Sequence, residues 1–336
     1  MSEPKISVVM PVYNREQYLR ESIESILNQT FTDFEFIIVD DQSTDSSWQI
    51  IQEYVAKDSR IVAVKNTGKK GCYPARNCGH RLAKGKYIAV MDSDDIALPQ
   101  RLQTQFEFME QHTDIDICGS WLKSFGTEEK VIQTLEKHGE IRDQMFFGCS
   151  IPHQTAIYRT TNQKLFYSED YASAQDYELF CRKMNELKFA NIPEVLLLYR
   201  VHENQISTAA KNEQCDNGNR TRLKNLQIIG VNLTKEEQTI YCNVCHEDFF
   251  PRNIDEIVII GNIFEKISVA GKNFGYGEKF QELIGLFQKR ALDLGIYNHI
   301  TSFKLYFTIF KKWKTFKTLR ANFRYVYHCL RNMLHA

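Results

Sequence analysis

No part of the chain approaches the ~18 uninterrupted apolar residues that a membrane-spanning helix needs. The opening segment, MSEPKISVVMPVYN, lacks a basic run followed by a long apolar run and a small-residue cleavage site. That excludes the secretory pattern and makes the cytosol the expected compartment. Proline is scarce, at 7 residues, and glycine modest, at 16, so the chain is neither fibrous nor of low complexity. With 43% apolar and 25% charged residues it has enough apolar surface to offset the entropy of ordering, which excludes disorder as the dominant state. Its 336 residues are about two domains' worth, because a single core stops growing near ~250 residues. The 9 cysteines, odd in number and scattered, are expected as reduced thiols.

Negative charge is missing from the C-terminus. No acidic residue follows Asp293, whereas Lys304, Lys311, Lys312, Lys314, Lys317, Arg320, Arg324 and Arg331 do. The net charge of zero is therefore a body of −8 joined to a tail of +8. This is a local basic patch on an acidic body, not the even basicity of a nucleic-acid binder, and nucleic acid is not an expected partner. Within residues 303–331, Tyr306, Phe310, Trp313, Phe316, Phe323, Val326 and Leu330 recur mostly at helical spacing, with cations between them. Two readings stand: peripheral contact with an anionic inner-membrane surface, at roughly 1 kcal/mol per basic residue, or a helical pair packed on the rest of the chain with solvated lysines.

Over residues 1–110, short β-branched runs alternate with amphipathic segments. KISVVM, FEFIIVD, RIVAVK and KYIAVMD read as strands. Between them lie helical patterns carrying Leu19, Ile23 and Ile26, then Trp48, Ile51 and Val55 behind caps at Ser43–Asp45, then PARNCGHRLAK. Alternation of this kind predicts a doubly wound α/β fold with a mostly parallel sheet, in which ligands bind beyond the carboxyl ends of the strands. Those ends read PVYN, DDQSTD and DSDD. From about Ile115 to Ser207 strands and helices mix, with IPHQTAIYR read as a strand, and beyond residue 208 the chain reads as helical.

MDSDD, Met91 to Asp95, is the strongest chemical signal. Its carboxylates repel one another and gain nothing for folding when exposed, but a hard divalent cation, Mg²⁺ or Mn²⁺, would neutralise them and share phosphate oxygens with a substrate. Asp40 and Asp41 end another strand in the same way, and Arg76 with Asn77 sits on a helix entered through Gly71 and Pro74, where a guanidinium can grip a diphosphate. CNVCH, Cys242 to His246, matches the haem-attachment pattern, which requires export. A zinc site there would need further ligands such as Cys215, and ordinary packing is expected instead.

The ordered set PVYN, Asp-Asp with STD, ARN-C-G, GKYIAVMDSDD, QDYELF and YRVHENQIS resembles the family 2 glycosyltransferases of GT-A fold over residues 5–207. It is most similar to bacterial enzymes that extend lipopolysaccharide, lipooligosaccharide or other surface glycans. One departure is visible: Gln42 stands where the family usually has glycine, so a positive φ there would carry strain. The resemblance implies a GT-A catalytic domain at 1–207, with a nucleotide-sugar half (1–110) and an acceptor half (111–207), and a helical region at 208–336. It implies that Pro11, Val12 and Tyr13, with Asn14, wall the nucleotide base and that Asp41 accepts from the base of a UDP-sugar. Arg76 and Asn77 would lie by the base or diphosphate, Asp92 on the ribose, with Ser93 beside it. Asp94 and His202 would hold Mn²⁺ or Mg²⁺, and Asp176 would be the catalytic base of an inverting transfer to a glycan or glycolipid hydroxyl. His153 is either a satisfied core histidine or an acceptor-side residue. A sugar-phosphate nucleotidyltransferase should show a glycine-rich loop after its first strand, and PVYNREQY has no glycine. A non-catalytic binding module would not be expected to keep Asp92, Asp94 and Asp176.

Overall fold

The computed structural model describes residues 3–160, 165–202, 205, 211–246, 249 and 251–297. The basic tail at 303–331 lies outside them. Two compact units are present: Met1–Met145 with Cys149–Gly218, and Phe146–Gly148 with the chain from Asn219 onward.

In the first unit the strands β1 (Ile6–Val12), β2 (Phe34–Asp40), β3 (Ile61–Lys65) and β4 (Tyr87–Val90) alternate with helices α1 (Leu19–Leu27), α2 (Ser47–Val55) and α3 (Cys72–Leu82). All four strands are parallel, in the order β3-β2-β1-β4. β1 is buried at every position and β2 at all but Glu35, as expected of parallel strands covered on both faces. α3 packs on β1 and β2 through Gly79, where a Cβ would meet Val9 Cγ1 at 2.5 Å. The sheet continues through β5 (Ile96–Ala97), β6 (Ile117–Gly126), β7 (Lys130–Ile132), β8 (Ile157–Arg159) and β9 (Phe189–Val201). Its full order is β3-β2-β1-β4-β8-β6-β9-β5, with β7 paired to β6. β8 runs antiparallel to β4 and β6, and β5 to β9, so the second half of the sheet is mixed. α4 (Arg101–Gln111), α5 (His138–Gln144) and α6 (Gln175–Lys183) complete the unit. Because β2 and β4 flank β1 on opposite sides, the strand order reverses there and opens a crevice beyond their carboxyl ends.

Two local expectations are corrected. Residues 153–155 of IPHQTAIYR form a 3₁₀ turn ahead of β8, closed by hydrogen bonds from the Thr155 N–H and hydroxyl to the Pro152 carbonyl. The N-cap of α2 is Ser46, with no side-chain cap bond. Asp45 instead accepts the Ser47 N–H at 2.9 Å.

In the second unit the helices Lys235–Val244, Ile254–Asn273 and Glu278–Tyr297 follow Lys211–Ile228, within which the unit boundary falls. Thr234 and Glu237 form a capping box, and Asn253 caps the next helix through the Glu256 N–H. The core here is aromatic, with the Phe147 and Phe287 rings 4.4 Å apart and Phe264 and Phe280 beside them.

Candidate active site

The crevice holds a cavity of about 440 Å³, whose lining comes entirely from the first unit. On its first wall β1 delivers Pro11, Val12 and the half-exposed Tyr13, over whose ring the Lys70 ammonium lies at 3.9 Å. This wall is sewn to the loop before α2. Asn14, at φ +50°, receives the Thr44 N–H on its side-chain oxygen, Ser43 Oγ accepts the Asn14 N–H, and Ser47 Oγ accepts the Arg15 N–H. Asn14 is thus a stitch between two loops and not part of the lining. Asp41 does line the cavity. Asn66 Nδ2 donates to one of its oxygens at 2.7 Å and the Gly71 N–H to the other at 2.8 Å. Gly71, at φ +140°, starts α3 in a conformation that suits glycine. Gln42 has φ +61°, the strained geometry its replacement of glycine implied, and its side chain donates to the Gly68 carbonyl.

Across the cavity, Arg76 is buried and paired with Asp92. Burial opposes its charge, but the paired Asp92 carboxylate favours the ionised guanidinium. Asn77 is on the same helix, but both ends of its amide are engaged by the Tyr167 backbone, away from the lining. Asp92, Ser93 and Asp94 all line the cavity. One oxygen of Asp94 meets Arg15 Nε at 3.1 Å and His202 Nε2 at 3.2 Å. His202 packs on the Tyr18 ring with centroids 4.8 Å apart, and its buried Nδ1 has no partner among the described residues. Asp95, grouped with its neighbours as an exposed carboxylate by the sequence, is instead fully buried, with one oxygen on the Arg200 N–H and the other without a partner among the described residues.

Among the described residues no three His, Cys, Asp or Glu side chains converge as a metal cage, and this includes Cys242, Cys245 and His246. Asp94 and His202 converge as a pair, which suits a hard cation that completes its shell with water and substrate phosphate. The orphaned His202 Nδ1 is a further sign of a polar site.

The third wall carries Asp176 in the first turn of α6, behind Ala174 in a left-handed conformation at φ +54°. Tyr177, Phe180 and Met184 form the buried seam of this helix, leaving Asp176 on the cavity. Burial pushes the Asp176 carboxyl above the usual carboxylate range, partly countered by the Tyr177 N–H and by Arg76. His153 is both buried and part of the lining, with Nε2 2.7 Å from the Tyr167 hydroxyl. Burial, with the charge of Arg76, pushes its pKa well down, so it is a neutral imidazole. His153 is thus a buried histidine satisfied by Tyr167 whose ring also borders the cavity.

Sequence reasoning passed over Arg15, Lys70 and Asn66. Arg15 directly follows PVYN, a position that could have flagged it. Asn66 bonds locally to Gly68 and Lys69, but its contact with Asp41 spans 25 residues and could not be read from the sequence.

A family model described as Glycosyl transferase family 2 matches residues 7–171. An uncharacterized glycosyltransferase of Methanocaldococcus jannaschii is 40% identical over 221 residues, 63% of this chain and 76% of that protein. The Escherichia coli UDP-Glc:alpha-D-GlcNAc-diphosphoundecaprenol beta-1,3-glucosyltransferase WfaP is 35% identical over 205 residues, 60% of this chain and 79% of that protein. Among solved structures, S. aureus TarS 1–349 in complex with UDP-GlcNAc superposes with a TM-score of 0.59 at 20% identity, over 88% of this chain and 90% of that one. The mannosyltransferase PcManGT from Pyrobaculum calidifontis, in complex with GDP-Man and Mn²⁺, gives 0.54 at 13% identity, over 99% and 88%. The structures speak for the fold, while the sequence relatives, matched over more than three quarters of their lengths, settle membership: this chain belongs to glycosyl transferase family 2 and has the GT-A fold.

Proposed function

We propose that the protein transfers a hexosyl or N-acetylhexosaminyl group from a UDP-sugar to a hydroxyl of a bacterial surface glycan or glycolipid, with inversion at the anomeric carbon. The carrying observation is that Asp41, Arg76, Asp92, Asp94 and Asp176, spread over 136 residues of sequence, line one cavity at the strand ends. Tyr13 and Asp41 face the base, Asp92 the ribose, and Asp176 the acceptor. Asp176 takes the proton of the acceptor hydroxyl as that oxygen bonds to the anomeric carbon, while the bond from that carbon to the diphosphate oxygen breaks and UDP departs. Inversion follows from a single displacement. Asp94 and His202 would hold Mn²⁺ or Mg²⁺, which as a Lewis acid stabilises charge on the departing diphosphate.

The UDP reading draws on WfaP, whose name specifies UDP-Glc and a diphosphoundecaprenol-linked acceptor. No described helix is long and apolar enough to cross a membrane. Contact with a lipid-linked acceptor at the cytoplasmic face is assigned to the basic segment 303–331. The test is to incubate the protein with individual UDP- and GDP-sugars, Mn²⁺ and a diphosphate-lipid-linked sugar acceptor, measuring nucleoside diphosphate release and product mass. Acceptor-dependent release of UDP is expected. Binding without turnover of any donor would leave only the non-catalytic module.

A further inference from the structure

We infer that Arg15 is a built-in counter-cation of Asp94, which a divalent cation must displace, so that Arg15 sets the metal affinity of the donor-free protein. This rests on the reading of Asp94 and His202 as the metal pair. Arg15 Nε and His202 Nε2 approach the same Asp94 oxygen, at 3.1 and 3.2 Å, so the guanidinium occupies the lone-pair space that a metal ion would need. It is not a loosely tethered side chain. Its own N–H is fixed by Ser47 Oγ at 2.8 Å, and Nη1 donates to the carbonyls of Tyr13 and Asn14 at 3.2 and 3.1 Å. Its side chain is 17% exposed and that of Asp94 14%, so the pair is screened far less than a surface ion pair. Nη2 has no hydrogen-bond partner among the described residues, leaving its two N–H donors unused when the diphosphate arrives.

The physical consequence is competition. Three carboxylates, Asp92, Asp94 and the buried Asp95, crowd one turn. A resident cation relieves that repulsion while the site is empty. A metal ion entering without donor must break the Arg15–Asp94 pair. A donor diphosphate offers the released guanidinium a new anion, so metal and donor should bind with positive coupling.

Mn²⁺ binding to the full-length, donor-free protein can be read from the electron paramagnetic resonance signal of free aquo-Mn²⁺, without any turnover. Arg15→Gln is expected to bind Mn²⁺ about tenfold more tightly than the parent, since one charge-assisted hydrogen bond no longer has to be broken. Saturating UDP should then tighten Mn²⁺ binding by a smaller factor in the variant than in the parent. Arg15→Lys, which keeps the charge without the fork, should fall between the two and serves if the glutamine variant does not fold. Mn²⁺ affinity in both variants equal to or weaker than the parent's overturns the inference. Asp94→Asn separates the two levels of reading: if it binds Mn²⁺ as the parent does, the metal pair itself is wrong. If it loses Mn²⁺ while Arg15→Gln is unchanged, only the role of Arg15 fails.

Discussion

Replacing Asp176 with asparagine should exchange activity for stability. The carboxyl is half-buried in the first turn of α6, and burial raises its pKa in the folded state above the ordinary value that the unfolded chain retains. Between those two values the folded state holds the extra proton. The stabilising contribution of Asp176 is therefore full below the ordinary carboxylate pKa and is lost as pH rises through the folded one, the reverse of a salt-bridged carboxylate. At neutral pH the ionised group is a burden that an amide of the same shape does not carry. A tenfold change in an ionisation constant is worth about 1.4 kcal/mol. A gain on the order of 1 kcal/mol would raise Tm by roughly 2–4 °C for a domain of 150–250 residues. Loss of the general base should cut transfer by about 10²–10⁴-fold. Thermal melts and UDP-release rates on the same preparations test both halves, and in the parent the acid limb of the rate profile should lie above the ordinary carboxylate range. An asparagine variant that keeps parental turnover, or that melts below the parent with UDP binding intact, would refute the assignment of Asp176 as a buried base.

Ala174→Gly relieves the left-handed backbone at φ +54°. It should stabilise the fold by about 0.5–1 kcal/mol in urea titrations, the ~1–2 kcal/mol of strain being partly offset by glycine's greater chain entropy. Because the same residue fixes the start of α6, transfer should slow in the variant even as stability rises. Gly79→Ala should destabilise by about 1–3 kcal/mol, because the new Cβ would lie 2.5 Å from Val9 Cγ1 and 3.3 Å from Val39 Cγ2. Pairing it with Val9→Ala should recover part of the loss if this contact is the cause. Treatment with EDTA should abolish acceptor-dependent UDP release, and Mn²⁺ or Mg²⁺ should restore it. Undiminished turnover after chelation would remove the metal from the mechanism.

The parallel half of the sheet was legible because β1 and β2 are nearly continuous apolar runs, and such runs are stable only when covered on both faces. The cavity residues at the ends of those strands were legible for the same reason: polar groups that follow an apolar strand without a break have only the carboxyl edge to occupy. Less could be read where partners are distant in the chain. Arg15 and Asp94 are 79 residues apart, and nothing local to either announces the pair. His153 was misplaced on a strand because IPHQTAIY has β-like composition. The hydroxyl of Thr155 instead bonds back to Pro152 and tightens the segment into a turn.

The acidic strand ends show why counting carboxylates does not locate a site. Asp40 is buried while Asp41 lines the cavity, and Asp94 lines it while Asp95 is buried. Each doublet thus sends one carboxylate to the cavity and one into the protein. The inward Asp95 acts within the fold: its oxygen receives the Arg200 N–H at 3.0 Å, and its carbonyl accepts the Ser22 hydroxyl at 2.7 Å. Nearby, Arg101 is fully buried, its pKa lowered to about 10 by burial, with Asp95 and Asp92 pulling it back up. Its guanidinium holds the Val90 carbonyl at 2.7 Å, at the end of β4 just before the acidic turn. The buried Asp95 thus helps to fix the backbone from which Asp94 reaches the cavity. Mutating Asp95 should therefore disturb metal and donor binding as a loss of geometry, without the loss of a ligand atom.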